Sequence, residues 1–435
     1  MKFFDEIDTE LAFEASSIIL RMELNDIVSR LSTHFEIADE MQPILDRLVE
    51  CDDSPKLRFF IAASKGMLRS AHWGIDPEPK FISHFQIDSL AAIRVAELHV
   101  LSALEIVVAD LIAKREVWSW HFPSMLAPKQ FDVHSIGCFK IPHDTSGISI
   151  QARDGLVQGA FGGSTFELLS NRNHRIDDGL LFLPATQIDT EFGAIQIPIH
   201  SPGLANISLC NAPIVLGDAA VAAWLPTLNE AVQMLVEFDA DVARDSVRLC
   251  HSVLPLHCGG TSFGSSSPDD VMGMVFLPAV TDTHDVAECL LHEAMHQKLY
   301  RIEAGAPLFQ GESGDNEIYY SPWRGDPRPL RMLMHGAFVF TAVALFWQER
   351  QVRYADHHEL SENAAFHMRF RAQQSTLALK TIRKYAELTP MGERITALLC
   401  ETLQSLDNSA VTEYAMQEVS RRLDHHFGRF GSYVH

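Results

Sequence analysis

The chain has 435 residues, 47% of them apolar and 21% charged, and its 35 Lys and Arg face 57 Asp and Glu for a formal net charge of −22. That composition can fill one or more packed cores and is not that of a disordered chain. The acidic excess repels phosphate backbones and anionic bilayers, so nucleic-acid and membrane partners are not expected, whereas a neutral or basic peptide is a suitable partner.

From about residue 9 to 116 apolar positions recur every three to four residues, as in Ile87-Asp88-Ser89-Leu90-Ala91-Ala92-Ile93-Arg94-Val95-Ala96-Glu97-Leu98-His99, which predicts helices. The character changes around Trp118-Ser119-Trp120-His121-Phe122-Pro123. From 131 to 215 short β-rich runs, among them Gly147-Ile148-Ser149-Ile150, Leu180-Leu181-Phe182-Leu183 and Ala194-Ile195-Gln196-Ile197-Pro198-Ile199, are punctuated by Gly, Pro and Asn and predict sheet. Asp218 opens a long helical stretch to about Arg248 with Pro226 near its start, followed by a loop at Gly259-Gly260-Thr261-Ser262-Phe263-Gly264-Ser265-Ser266-Ser267-Pro268 with a short apolar strand on either side. The second strand, Gly273-Met274-Val275-Phe276-Leu277-Pro278, feeds a further helix through Thr281-Asp282-Thr283, where Asp282 or Thr283 can cap it. After an irregular stretch from 303 to 326, helices run from Pro329 to the end. The most apolar run, 332–347, is too short for a bilayer crossing and contains His335, so it reads as a buried core helix.

The expected architecture is therefore α+β and predominantly helical. It comprises an N-terminal helical region (1–125), a β-rich section (126–216) and a mostly helical metal-binding catalytic domain (217–435). The seven cysteines, at 51, 138, 210, 250, 258, 289 and 400, are odd in number and form no CxxC pair, which suits reduced core thiols. Met1-Lys2-Phe3-Phe4-Asp5-Glu6 meets acidic residues without an apolar h-region, so no export signal is expected and the expected location is cytoplasmic.

One segment carries chemistry: His292-Glu293-Ala294-Met295-His296, an HExxH sequence within an uninterrupted helix. Residues four apart stand above one another on a helix, so both imidazoles project from one stripe toward adjacent corners of a single divalent ion, with Glu293 rotated about 100° away. With 21 His in the chain, chance produces this spelling in roughly one such sequence in ten to twenty, so the surroundings must decide between a metal site and core histidines satisfied by neighbours. Apolar Val286, Leu290 and Leu291 place the pair on a half-buried helix, which favours the metal.

The third ligand decides the chemistry. A His six residues after His296 would complete one protease pattern, but that position is Ile302. A carboxylate about 20 residues on would complete another. Glu312, Asp315 and Glu317 lie near that spacing, in or just after Gly311-Glu312-Ser313-Gly314-Asp315-Asn316, which reads as a solvated turn. His335 is the remaining candidate: a polar ring in so apolar a helix needs a partner, and Gly336 beside it permits close approach of another element.

Glu288-x-x-x-His292-Glu293-x-x-His296-Gln297-Lys298-Leu299, taken with Ser321-Pro322-Trp323-Arg324-Gly325-Asp326-Pro327-Arg328-Pro329 and Leu333-Met334-His335-Gly336-Ala337-Phe338-Val339-Phe340, resembles the HExxH-motif peptide-modification proteins. That family is associated with clusters making ribosomally synthesised, post-translationally modified peptides. Its characterised members are iron(II)- and 2-oxoglutarate-dependent hydroxylases that oxidise the β-carbon of residues in a precursor peptide. The resemblance is densest over 264–347 and much weaker over the N-terminal half. It implies Fe(II) held by His292, His296 and His335, 2-oxoglutarate and O₂ as co-substrates, a precursor peptide as substrate, and an Arg within 323–331 that receives the co-substrate.

The residue chemistry accommodates this. An iron oxygenase needs three protein ligands on one face and a cation for the far carboxylate of a 2-oxo acid, and Arg324, Arg328 and Arg331 crowd beside His335. Arg328 is the first choice and Arg324 the second, each weighed against ordinary surface ion pairing. Three histidines differ from the usual two-His-one-carboxylate face, so Glu288, one turn before His292, stays a candidate ligand or acceptor behind the ligands. Glu293 is the general base if the protein is a zinc-dependent HExxH metallopeptidase, and only orients ligands or faces substrate in an oxygenase. A third reading is a non-catalytic peptide-binding protein whose histidines are structural.

Overall fold

The computed structural model describes residues 9–34, 41–54, 57–58, 60–61, 64, 92–122, 130–133, 136–141, 147–169, 174–177, 180–199, 216–256, 264–269, 271–315, 317–407, 409 and 411–431. It is 59% helical and 19% strand, the mostly helical α+β fold that the sequence implies. Residues 65–91 of the expected helical region, 200–215 at the end of the expected β-rich section and 257–263 of the glycine-rich loop lie outside the described residues, as do Cys210 and Cys258. Cys51, Cys138, Cys250, Cys289 and Cys400 are free thiols, all but the last buried.

Contacts divide the chain into two units. They cut across the three sections expected from sequence: one unit comprises Ser17–Ala223 and His251–Ala279, the other Met1–Ser16, Trp224–Cys250 and Val280–His435. In the first, helices α1 (Thr9–His34, from residue 17 on), α2 (Gln42–Leu48) and α3 (Ala92–Lys114) precede strands β1 (Trp118–Phe122), β2 (Gln130–Val133), β3 (Gly137–Lys140), β4 (Ile148–Arg153), β5 (Leu156–Phe161), β6 (Ser164–Leu169), β7 (Arg175–Ile176), β8 (Leu181–Pro184), β9 (Thr186–Thr190), β10 (Gly193–Ile197), β11 (Ser252–Leu256) and β12 (Met274–Pro278). Leu20, Leu24, Ile27, Val28 and Leu31 form the buried stripe of α1 at helical spacing. Buried Arg47 on α2 reaches Asp110 on α3 at 2.8 Å.

The strands form sheets ordered β1-β4-β5-β6-β7, β2-β3-β8 and β12-β11-β10-β9. In β4 the buried residues are Ile148, Ile150 and Ala152, the two-residue alternation of a half-covered strand. Asp154 and Gly155 link β4 to β5 with φ of 55° and 82°, the conformation a tight two-residue hairpin requires and which Asp-Gly adopts readily. Phe131, Phe139, Phe161 and Phe166 pack ring on ring, at centroid distances from 4.8 to 6.4 Å, in this unit's core. β12, buried throughout, lies parallel to β11, and β11 parallel to β10.

The second unit holds α4 (Asp218–Phe238, from Trp224), α5 (Ala240–Leu249), α6 (Thr283–Gly305), the ribbon of β13 (Ile318–Tyr319) and β14 (Arg328–Pro329), α7 (Leu330–Arg353), α8 (His358–Tyr385), α9 (Pro390–Leu406) and α10 (Glu413–Phe430). The single helix expected from 218 to 248 is two: Asp239 takes an extended conformation and its carboxylate accepts from the backbone N–H groups of Asp241 and Val242, ending one helix and starting the next. Pro226 is tolerated inside α4. α7 packs along α6, α8 and α9. It is long and apolar enough to cross a membrane by length and composition, yet 83% of its most apolar window is buried against the rest of the protein.

α6 carries the HExxH sequence. Its start is set by Asp282, whose carboxylate accepts from the N–H of His284 at 2.8 Å and of Asp285 at 3.4 Å, as the turn sequence predicts. Asp282→Ala leaves these donors without a protein acceptor and is expected to lower stability by about 0.5–2 kcal/mol. Urea unfolding followed by circular dichroism checks this; a midpoint equal to wild type would remove Asp282 as the determinant of the helix start.

Candidate functional site

From Val286 to Ile302, α6 is buried except along one line: Glu288, His292, His296 and Tyr300, continued by Glu303. These positions follow one another at intervals of four, four, four and three, so they form one stripe of the helix. The stripe about 100° round the helix, Glu293, Gln297 and Arg301, is buried, with Glu293 1% exposed. The three residues of HExxH that matter chemically thus divide: His292 and His296 line the open stripe, whereas Glu293 is buried. Its carboxylate and the Arg301 guanidinium both act on the buried Cys250 thiol, which burial, then Glu293, pushes well above its ordinary pKa against the pull of Arg301. Glu293 approaches His292 only at 3.9 Å.

The histidines meet in a row. His292 Nε2 lies 3.1 Å from His296 Nε2, and His296 Nδ1 lies 3.2 Å from His335 Nδ1. His335 comes from the first turns of α7 and is 1% exposed. Burial lowers the His292 pKa to about 4, and burial followed by the adjoining His292 and His335 holds His296 well below its ordinary value, so both rings are neutral near pH 7, the form that can ligate metal. Tyr300 stacks on His296 and lies tilted against His335, with centroid distances of 6.0 and 4.7 Å.

Behind the row, His335 Nε2 is 2.9 Å from Glu303 Oε2, and Arg331 grips the same carboxylate through Nε and Nη2 at 3.0 to 3.3 Å. Burial raises the Glu303 pKa, but the bond and charge of His335 and then Arg331 outweigh it and leave the carboxyl below its ordinary value. At the other end of the stripe Glu288 meets Arg371 at 2.6 Å and accepts from Trp347 Nε1 at 2.6 Å, so its two oxygens are engaged by these neighbours. Phe340 sets its ring edge-on to His292 at 4.7 Å, stacks with Trp323 at 5.3 Å and receives the Arg371 guanidinium at 4.6 Å. Gly336 makes this wall: a Cβ there would stand 2.5 Å from the Trp323 ring.

The structure therefore brings His292, His296 and His335 together. Arg324, 60% exposed, and Arg328, 31% exposed, both pair with Asp326 in the β13–β14 ribbon. The arginine that reaches the histidine cluster is Arg331, through Glu303. Glu312, Asp315 and Glu317 are exposed in or beside the turn at 310–315, with Glu317 accepting from Tyr319. Tyr300, Glu303, Phe340 and Arg371 escaped the sequence reading. Continuing the stripe past His296 by four and seven residues would have found Tyr300 and Glu303; no local signal points to Phe340 or Arg371.

Among the described residues no group of three or more His, Cys, Asp or Glu side chains is arranged to hold a metal ion as it stands. The reason is local: His296 turns Nε2 to His292 but Nδ1 to His335, so the rings do not offer one nitrogen each to a common point. A half-turn of His296 about its Cβ–Cγ bond would put Nε2 where Cε1 now stands, on the ring edge facing both partners. The donor set itself, neutral imidazoles with one anchored by a carboxylate, suits a divalent transition metal. No protein-family model matches the sequence, and no curated protein matches it.

The pKa directions predict an acid-sensitive fold. A histidine whose folded pKa lies below its unfolded value near 6.5 takes its proton only on unfolding, so its contribution is full above 6.5 and is lost as pH falls toward about 4 for His292 and lower for His296. Asp285, raised to about 6 by burial and then by Asp282 and Glu288, acts in the opposite sense over the same window. The comparison that isolates the histidines is wild type against His292→Gln/His296→Gln without metal. Between pH 6.5 and 4.5 the wild type should lose more stability, by up to about 1.4 kcal/mol per pH unit per histidine. Parallel stability curves would show that these rings are not held neutral.

Proposed function

We propose that the protein is an Fe(II)- and 2-oxoglutarate-dependent hydroxylase acting on the β-carbon of a side chain in a ribosomally made precursor peptide. The observation that carries the reading is the row His292, His296 and His335 on the one open stripe of a helix otherwise enclosed, with the third histidine held by a carboxylate. The resemblance in the residues around HExxH supplies the reaction class. His292, His296 and His335 would hold the iron, which when bound with 2-oxoglutarate and O₂ supplies the oxidising power for hydroxylating an unactivated carbon.

The chain's own residues do the rest. Burial keeps His292 and His296 unprotonated; Glu303 and Arg331 fix His335; Trp323 and Phe340 form an apolar wall beside His292 that excludes water from its edge. Arg328, then Arg324, remain the candidates for the far carboxylate of 2-oxoglutarate, both now seen on Asp326, which that carboxylate would have to displace. The peptidase reading requires Glu293 to activate water from the open side, and its placement in the buried stripe with Gln297 and Arg301 weighs against that. A cytoplasmic precursor peptide as partner fits the acidic net charge of the chain.

The test incubates wild type and Glu293→Gln with Fe(II), 2-oxoglutarate, O₂ and a candidate precursor peptide, then reads peptide mass and succinate. Wild type is expected to add one oxygen to the peptide, and Glu293→Gln to keep measurable turnover, with losses on the order of 10 to 100-fold traceable to metal affinity. Peptide bonds cleaved without O₂, and no cleavage in the variant, would overturn the reading in favour of a zinc peptidase.

A further inference from the structure

One end of the histidine row opens onto a patch of four partly exposed side chains, His292, Phe340, Trp323 and Arg371. Phe340 joins them: its ring lies edge-on to His292 at 4.7 Å, stacks with Trp323 at 5.3 Å and carries the Arg371 guanidinium at 4.6 Å. Two residues hold the patch in shape. Gly336, although glycine is a poor residue for a helix interior, lets the Cε3–Cζ3–Cη2 edge of the indole rest on α7, where a Cβ would stand 2.5 Å from it. Buried Gln374 on α8 uses both ends of its amide here: Nε2 donates to the carbonyl of Pro322, next to Trp323, at 2.7 Å, and Oε1 accepts from Arg371 Nη1 at 3.3 Å.

The charged groups around the patch are already engaged. Arg371 meets Glu288 at 2.6 Å, Glu288 also accepts from Trp347, and Glu293, 3.9 Å from His292, is enclosed. An apolar side chain laid against Trp323 and Phe340 leaves water without a polar cost, whereas an amide or ammonium there is desolvated without a partner and a carboxylate must first displace Glu288 from Arg371. We infer that Trp323 and Phe340, positioned by Gly336 and Gln374, form the subsite for the substrate side chain that is oxidised, and that they select an apolar one such as leucine over a polar one of the same shape. The inference rests on the hydroxylase reading for what happens to the bound residue; the subsite itself belongs to the metal-free chain.

The experiment titrates the full chain, metal-free and ¹⁵N-labelled at tryptophan, with N-acetyl-leucinamide and with N-acetyl-asparaginamide, which is nearly its isostere. Loss of one indole signal in Trp323→Phe assigns the reporter. The leucine amide should shift that signal to saturation, with an affinity on the order of 10-fold or more above that of the asparagine amide. Gly336→Ala, which pushes the indole off α7, should remove most of that difference; Phe340→Leu, a milder change at a partly exposed position, serves if Gly336→Ala does not fold. Equal affinities for the two amides, or no shift with either, would overturn the subsite. A second arm incubates wild type with Fe(II), 2-oxoglutarate, O₂ and a random peptide library and locates the added oxygen by tandem mass spectrometry. It should fall on Leu, Ile, Val or Phe; oxygen on Asp, Asn or Lys would overturn the selection. Leucine-selective shifts without any oxidised peptide would instead remove the hydroxylase reading and leave an apolar binding subsite.

Discussion

The rotation of α6 about its own axis is the constraint on which the site depends. Its inner surface contains ionisable groups that are at most 2% exposed: Glu293, Lys298 and Arg301. Lys298 meets Asp245 at 3.2 Å, and Arg301 lies over the Phe13 ring at 4.2 Å with Ser16 as a further acceptor. Separating a buried charge from its partners costs several kcal/mol, so turning α6 by even one residue, about 100°, would cost more than a typical core substitution. An apolar inner face would tolerate small rotations far better. The polar interior thus fixes the azimuth of the outer stripe, and with it the direction in which His292 and His296 point.

Two carboxylate–guanidinium pairs bracket the histidine row, Glu288 with Arg371 at one end and Glu303 with Arg331 at the other. Each neutralises its own charge, so little net field acts on the rings and burial dominates their pKa values, as the lowering of both His292 and His296 indicates. The pairs are not equivalent. Arg371 is drawn toward Phe340 and Glu288 is further held by Trp347, so that end belongs to the aromatic wall; Glu303 alone bonds a histidine.

What the sequence revealed follows from the range of each physical signal. The HExxH pair, the Asp282 cap, the strand before it and the buried helix containing His335 all rest on contacts within a few residues or on periodicity, and all were legible. The role of Gly336 was legible as well, because a glycine beside a polar ring in an apolar helix implies something packed close, here Trp323. The break at Asp239 was missed because an apolar periodicity continues across it while a single side-chain cap decides the boundary. Arg331 could not be told from Arg324 and Arg328: all three stand near His335 in sequence, and only the path of the ribbon determines that two of them meet Asp326 and one meets Glu303. Arg371, 36 residues beyond His335 on α8, has no sequence signature at all.

The two faces of His296 mark the step from the row of hydrogen-bonded rings to a three-nitrogen site, and magnitudes decide whether that step matters. Turning the ring breaks two neutral hydrogen bonds, each worth about 0.5–1.5 kcal/mol net. Binding of zinc by a full set of protein ligands is worth about 10 kcal/mol or more near neutral pH, and a divalent iron site needs only a fraction of that to exceed the cost of the turn. The row is therefore compatible with metal uptake.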